Sequence, residues 1–177
     1  MAWHVREDYG RYVPPKWIRP TVERLLAGIP VAYSSGLGAI VLTNSSMIGA
    51  GKTQRVAGRK YHRNACRGFY HRAYRGSHAS ITLVVDNILK SAPRAAQAFR
   101  PTRDAILANV LFHEIGHHLD RTLGAAAPSG EAAAENWRHR LGRHYFQRRY
   151  VWLRPLARAL HPVVRQLAQR EKLRLRR

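Results

Sequence analysis

Five consecutive residues, His113-Glu114-Ile115-Gly116-His117, carry the clearest chemistry in this chain of 177 residues. Histidines four apart on a helix stand one turn above each other, so two imidazoles would point at one place. Between them Glu114 sits about 100° round from His113, beside that place without being aimed at it. Two nitrogen donors with an adjacent carboxylate are what a catalytic zinc ion and a general base require. With 10 histidines and six glutamates in the chain, composition alone produces an H-E-x-x-H about 2% of the time, so the pattern calls for more than chance.

Catalytic zinc keeps three protein ligands and leaves a position for water. The third ligand does not come from H-E-x-x-H-x-x-G-x-x-H, because Asp120 and Leu123 occupy the places where that pattern needs Gly and His. Instead the chain breaks at Gly124 and Pro128 and restarts as a helix at Ser129-Gly130-Glu131-Ala132-Ala133-Ala134-Glu135-Asn136-Trp137, with Ser129 near its cap. Glu131 and Glu135 lie four apart and share a face of it.

The pair HEIGH and GEAAAENW resembles the gluzincin clan of zinc metallopeptidases, in particular its small single-domain members. The resemblance covers about 35 residues. It implies one zinc ion held by His113, His117 and Glu131, with Glu135 supporting His113 from behind; the reverse roles for Glu131 and Glu135 stay open. It also implies peptide hydrolysis in which Glu114 takes a proton from a zinc-activated water and passes it to the leaving amine. Enzymes of this type add a group that stabilises the oxyanion; Tyr145, His139 and His144 are near in sequence, and nothing selects among them. Asp120, one turn beyond His117, either orients a ligand or forms a surface ion pair.

Periodicity locates the helices and strands around these residues. Ile106, Leu107, Val110, Leu111, Ile115 and Leu119 recur at helical spacing and predict an amphipathic helix over 103–122. Pro14-Pro15 leads into a first helix with Trp17, Ile18, Val22, Leu25 and Leu26 on its apolar face, stopped at Gly28 and Pro30. Val31–Ser34 and Ala39–Thr43 read as strands that could close a hairpin, and 44–67 as a Gly-, Ser- and Arg-rich loop. Gly68–Tyr74 and Ala79–Asn87 read as a second strand pair. The run Ile81 to Val85 or its neighbour is either an edge that pairs with an extended substrate or an ordinary core strand. Trp137, Leu141, Tyr145 and Phe146 continue an apolar stripe, and Pro155 and Pro162 bend the helical pattern beyond it. The expected architecture is α+β and, by resemblance, zincin-like. It has a small, mostly antiparallel sheet packed on the N-terminal helix, the H-E-x-x-H helix and the glutamate helix, with basic C-terminal helices. We expect a single domain over 1–177, made of an extended arm (1–13), a catalytic core (14–149) and a basic helical extension (150–177).

Composition sets the outer bounds. A hydrophobic content of 45% allows a real core. The single Cys66 cannot form an intramolecular disulfide, and Met1 to Tyr12 lacks the apolar stretch of a secretory signal, so a cytoplasmic location is expected. No apolar run approaches the roughly 20 residues that cross a bilayer. The formal net charge of +21 is concentrated in Lys52–Arg75, with eight basic residues and no acid, and in Arg138–Arg177, with thirteen basic residues and one acid. Four of the ten acids fall between Glu114 and Glu135, as a dication site needs. The basic segments either bind nucleic acid or another polyanion or form a solvated helix face. An alternative function is therefore a zincin-fold binding or structural module of a nucleoprotein or phage-like assembly. Gly49-Ala50-Gly51-Lys52-Thr53 resembles the end of a phosphate-binding loop, but Ser46 stands where its first glycine must be, and nucleotide hydrolysis is set aside.

Overall fold

The computed structural model describes residues 3–48, 53–56, 59–62, 65–124 and 130–153, with 53–62 and 153 described in backbone only. The chain divides into two compact units, Met1–Tyr145 and Phe146–Arg177. The first unit is α+β. A four-stranded mixed sheet in the order β1-β2-β6-β5 is built from β1 (Val5–Asp8), β2 (Leu37–Thr43), β5 (Gly68–His71) and β6 (Ala79–Val84). A separate antiparallel pair is made by β3 (Thr53–Val56) and β4 (Arg59–His62). The helices are α1 (Ile18–Ala27), α2 (Val85–Lys90), α3 (Arg100–Thr122) and α4 (Glu131–Arg149).

The sheet departs from the expected antiparallel arrangement. β1 pairs with β2 and β2 with β6 in parallel, and only β5 runs antiparallel, against β6. The extended arm contains β1, whose register sets Val5 opposite Ile40 and Asp8 opposite Thr43. Its sequence, VRED, shows no apolar alternation because only Val5 is buried, so the pairing is dictated by a partner some 35 residues away rather than by local pattern. Val31–Ser34 is a 3-10 turn, not a strand. Tyr33 N–H donates to the Pro30 carbonyl at 2.9 Å and the Ser34 hydroxyl to the Val31 carbonyl at 2.7 Å, local bonds that close the turn and leave no hairpin with β2. The second strand pair forms, but β5 stops at His71 rather than Tyr74 and β6 ends at Val84, where Val85–Asn87 begins α2 instead. There Asp86 accepts the backbone N–H of Ser45 at 2.8 Å and its hydroxyl at 2.6 Å. The expected loop 44–67 contains a short 3-10 turn, Ser45–Met47, and the β3–β4 pair, whose TQRV and RKYH sequences lack the alternation that marks a half-buried strand.

α3 lies against β5 and β6, and α1 packs on α3. The buried side chains Leu107, Leu111, Ile115 and Leu119 of α3 recur every four residues, and Pro101, its second residue, lies in the first turn, where a missing N–H costs nothing. Ile40, Leu42, Ile81 and Leu83 are fully buried on the sheet, as are Ile18, Val22 and Leu25 on α1. Asp104 is completely buried too, held by the Arg24 guanidinium of α1 and by the Tyr145 hydroxyl of α4 at 2.6 Å. Cys66, Phe69 and Val84 form a second cluster, in which burial pushes the Cys66 thiol up to about 12. In the second unit, Phe146 stacks on Tyr150 with ring centres 5.7 Å apart. The predicted bends at Pro155 and Pro162 and the basic end of the chain lie outside the described residues, as do Ser129 and the stretch 49–52. Among the described residues, no helix is long and apolar enough to cross a membrane.

Candidate metal centre

α3 presents two adjacent rows of side chains. One row, Asn109, His113 and His117, faces the first turns of α4; the other, Val110, Glu114 and His118, faces β5. The His113 and His117 rings are 4.8 Å apart and nearly perpendicular. Each turns its Nε2 to Glu131, at 3.4 Å from His113 to Oε2 and 3.7 Å from His117 to Oε1. One donor atom from each of the three residues lies within 4.8 Å of the others.

The donor set fits a dication. Zinc bonds of about 2.1 Å in a tetrahedron place ligand atoms roughly 3.4 Å apart, close to the two histidine–glutamate separations. Burial, helped by the charge of His113, lowers the pKa of His117 and favours the neutral imidazole whose lone pair a metal needs. Glu114 is buried beside this group, and its carboxyl is pushed up to about 8 by desolvation and by the nearby Glu131 charge. The nearby Tyr70 backbone N–H partly offsets both.

Gly116 explains how α4 comes so close. A Cβ on this residue would stand 2.5 Å from the Ala134 carbonyl oxygen and 2.8 Å from its Cα, so the two helices cross backbone to backbone. Glycine inside a helix costs about 1 kcal/mol relative to alanine; here it lets the first turn of α4 bring Glu131 to both histidines. Asp120 fixes the same turn from below. Its Oδ2 accepts the Gly130 N–H at 2.9 Å, a role that neither reading of Asp120 anticipated. Glu135 reaches the other side of His113, with Oε2 3.6 Å from Nδ1. Its carboxyl falls to about 2, chiefly through hydrogen bonds from Arg138.

The other face of α3 holds the sheet edge. A Cβ on Gly68 would meet Val110 Cγ1 at 2.7 Å and Glu114 Oε1 at 2.8 Å, so β5 runs directly over the glutamate. His118, fully buried, has Nε2 2.9 Å from the Ser35 carbonyl and Nδ1 3.3 Å from the Tyr70 hydroxyl. A carbonyl only accepts, so Nε2 carries the proton and Nδ1 accepts from Tyr70. His118 thus anchors the strand that lies over Glu114.

Of the residues named from sequence, His113, His117, Glu131, Glu114 and Glu135 come together. Of the oxyanion candidates, Tyr145 is buried against Asp104, with Phe112 at its ring edge, and His139 stands 3.0 Å from Glu135 Oε1. Sequence reasoning passed over Gly116, Gly68, His118 and Arg138. Only Arg138 had a local signal, its spacing of three from Glu135 on a helix. No family model, no characterised protein and no solved structure matches this chain.

Proposed function

We propose that this protein is a zinc metallopeptidase of the gluzincin type on a zincin-like fold, in which His113, His117 and Glu131 hold the ion and Glu114 is the general base. One observation carries the reading: both Nε2 atoms and the Glu131 carboxylate converge beside a buried Glu114. Zinc, when bound, supplies a Lewis acid that polarises the scissile carbonyl and makes water acidic enough to attack near neutral pH. Glu114 takes the proton of the attacking water and returns it to the amine as the C–N bond breaks. β5 is the sheet edge beside Glu114, and an extended peptide adding to that edge would lie across the site.

The second reading, a binding module for nucleic acid or another polyanion, draws on the formal charge of +21 and on α4, where Arg140 and Arg143 are exposed and line a shallow cleft with Asn136 and His139. A general base beside the donor set has no use in such a module.

The test pairs metal content with cleavage of a mixed peptide library for the wild type and Glu114→Gln. The expected result is one zinc per chain in both and cleavage by the wild type alone. Zinc in both with cleavage by neither, together with salt-sensitive retention on DNA, would favour the module. Failure of the wild type to take up zinc would remove the metal centre altogether.

A further inference from the structure

We infer that Arg138 is a positioning residue of the metal centre: its guanidinium fork holds Glu135 against the Nδ1 side of His113 and so keeps Nε2 of that ring turned to the ion. The inference rests on the proposed metal site. Arg138 Nε donates to Glu135 Oε2 at 2.8 Å, and Nη2 donates to Oε1 of the same carboxylate. Its third arm, Nη1, donates to Asn109 Oδ1 at 2.6 Å. Asn109 lies one turn before His113 on α3, so the guanidinium joins the two helices on either side of that histidine.

The geometry assigns a direction to His113. Glu135 Oε2, the oxygen gripped by Nε, is the one 3.6 Å from Nδ1, whereas Glu131 stands on the Nε2 side. At 3.6 Å the carboxylate is just outside hydrogen-bond range of Nδ1, so as it stands it favours an Nδ1–H through its charge, and a small approach closes the bond. A histidine that commits Nδ1–H to a carboxylate presents a bare, more basic Nε2 to a metal. Glu135 is about half exposed, and without the fork its side chain would sample several rotamers in water. Two parallel bonds from a planar guanidinium remove that freedom, which the single point charge of a lysine cannot do. His139 closes the ring, with Nε2 3.0 Å from both Glu135 Oε1 and Arg138 Nη2. An ordinary exposed ion pair at this spacing would contribute little to anything; this one meets a third residue and backs a donor.

The experiment measures zinc affinity by competition with a chelator for the wild type, Arg138→Gln, Glu135→Gln and the double variant. Alongside, the ring-nitrogen chemical shifts of His113 are recorded in the metal-free protein. Arg138→Gln should weaken zinc binding about tenfold, and the double variant should bind no more weakly than Glu135→Gln alone, because both changes remove one device. In metal-free Arg138→Gln, the fraction of His113 in the Nδ1–H form should fall, because Glu131 on the Nε2 side then competes without an opposing carboxylate held at Nδ1. Arg138→Lys should restore only part of the affinity. Should Arg138→Gln fold poorly, Asn109→Ala, which frees one arm of the fork, should shift affinity and tautomer in the same direction. Unchanged affinity in Arg138→Gln, losses that add in the double variant, or an unmoved His113 tautomer would each overturn the inference while leaving the metal centre standing. A wild type that takes up no zinc would overturn both.

Discussion

At the scale of single residues, the site concentrates cost as well as chemistry. Glu114 is a carboxylic acid enclosed by Val110, Gly68 and the sheet edge with another acid nearby, and its pKa rises from 4.5 to about 8. A carboxyl whose folded-state pKa lies above its unfolded value leaves the fold most stable below about 4.5 and withdraws stability as the pH climbs through 8. Glu114→Gln should therefore be the more stable protein when metal-free, by roughly 4 kcal/mol at pH 8, with the difference shrinking to under about 1 kcal/mol at pH 5. Urea unfolding at the two pH values measures this; an equal difference at both would show that Glu114 is not held neutral. Zinc held as proposed would place positive charge beside the carboxylate and should narrow the pH 8 difference.

At the scale of elements, two glycines of similar sequence context play opposite parts. Gly116 in α3 is pressed against the backbone of Ala134, where an added methyl has no flexible neighbour to displace. Gly142 in α4 has nothing within 4 Å of where its Cβ would be. Gly142→Ala should stabilise the protein by about 0.5–1 kcal/mol, the ordinary helix preference. Gly116→Ala should cost about 1–3 kcal/mol through overpacking and, by pushing the helices apart, weaken zinc binding as well. Thermal melts and a chelator competition on the two variants separate these effects, and stabilisation by both would mean that the helix crossing is looser than the Cβ positions indicate. The same crossing accounts for the motif itself. Its variable positions are filled by Ile115, buried in the core, and by the one residue small enough for α4 to touch.

Within the first compact unit as a whole, stability and site share a junction. Asp104 joins α1 through Arg24 and α4 through Tyr145, about two and a half turns before His113 on the helix that carries the motif. Removing one member of a buried charged network leaves the others desolvated without a partner. Asp104→Ala should accordingly lower unfolding free energy by about 3–5 kcal/mol, read from denaturant midpoints. A loss under 1 kcal/mol would place the cohesion of the three helices in their apolar contacts alone. Charge acts at this scale too, since an excess of +21 repels itself and makes the acids around α3 and α4 a local exception.

Features that depend on neighbours along the chain were legible in the residues alone. The amphipathic spacing from Ile106 to Leu119 places a helix and, with it, two histidines one turn apart. Glu131 and Glu135 share a face for the same reason, and the first helix and the β5–β6 pair were legible from local pattern and turn residues. Features that depend on distant partners came only with the folded chain. VRED becomes a strand because β2 offers its edge, and the parallel order of β1, β2 and β6 has no signature in any one segment. Which glutamate meets Nε2 and which meets Nδ1 was undetermined in the sequence, since both lie on one helix face. Their assignment comes from the depth to which Gly116 admits α4 and from the grip of Asp120 on Gly130, contacts between helices whose geometry no spacing along the chain specifies.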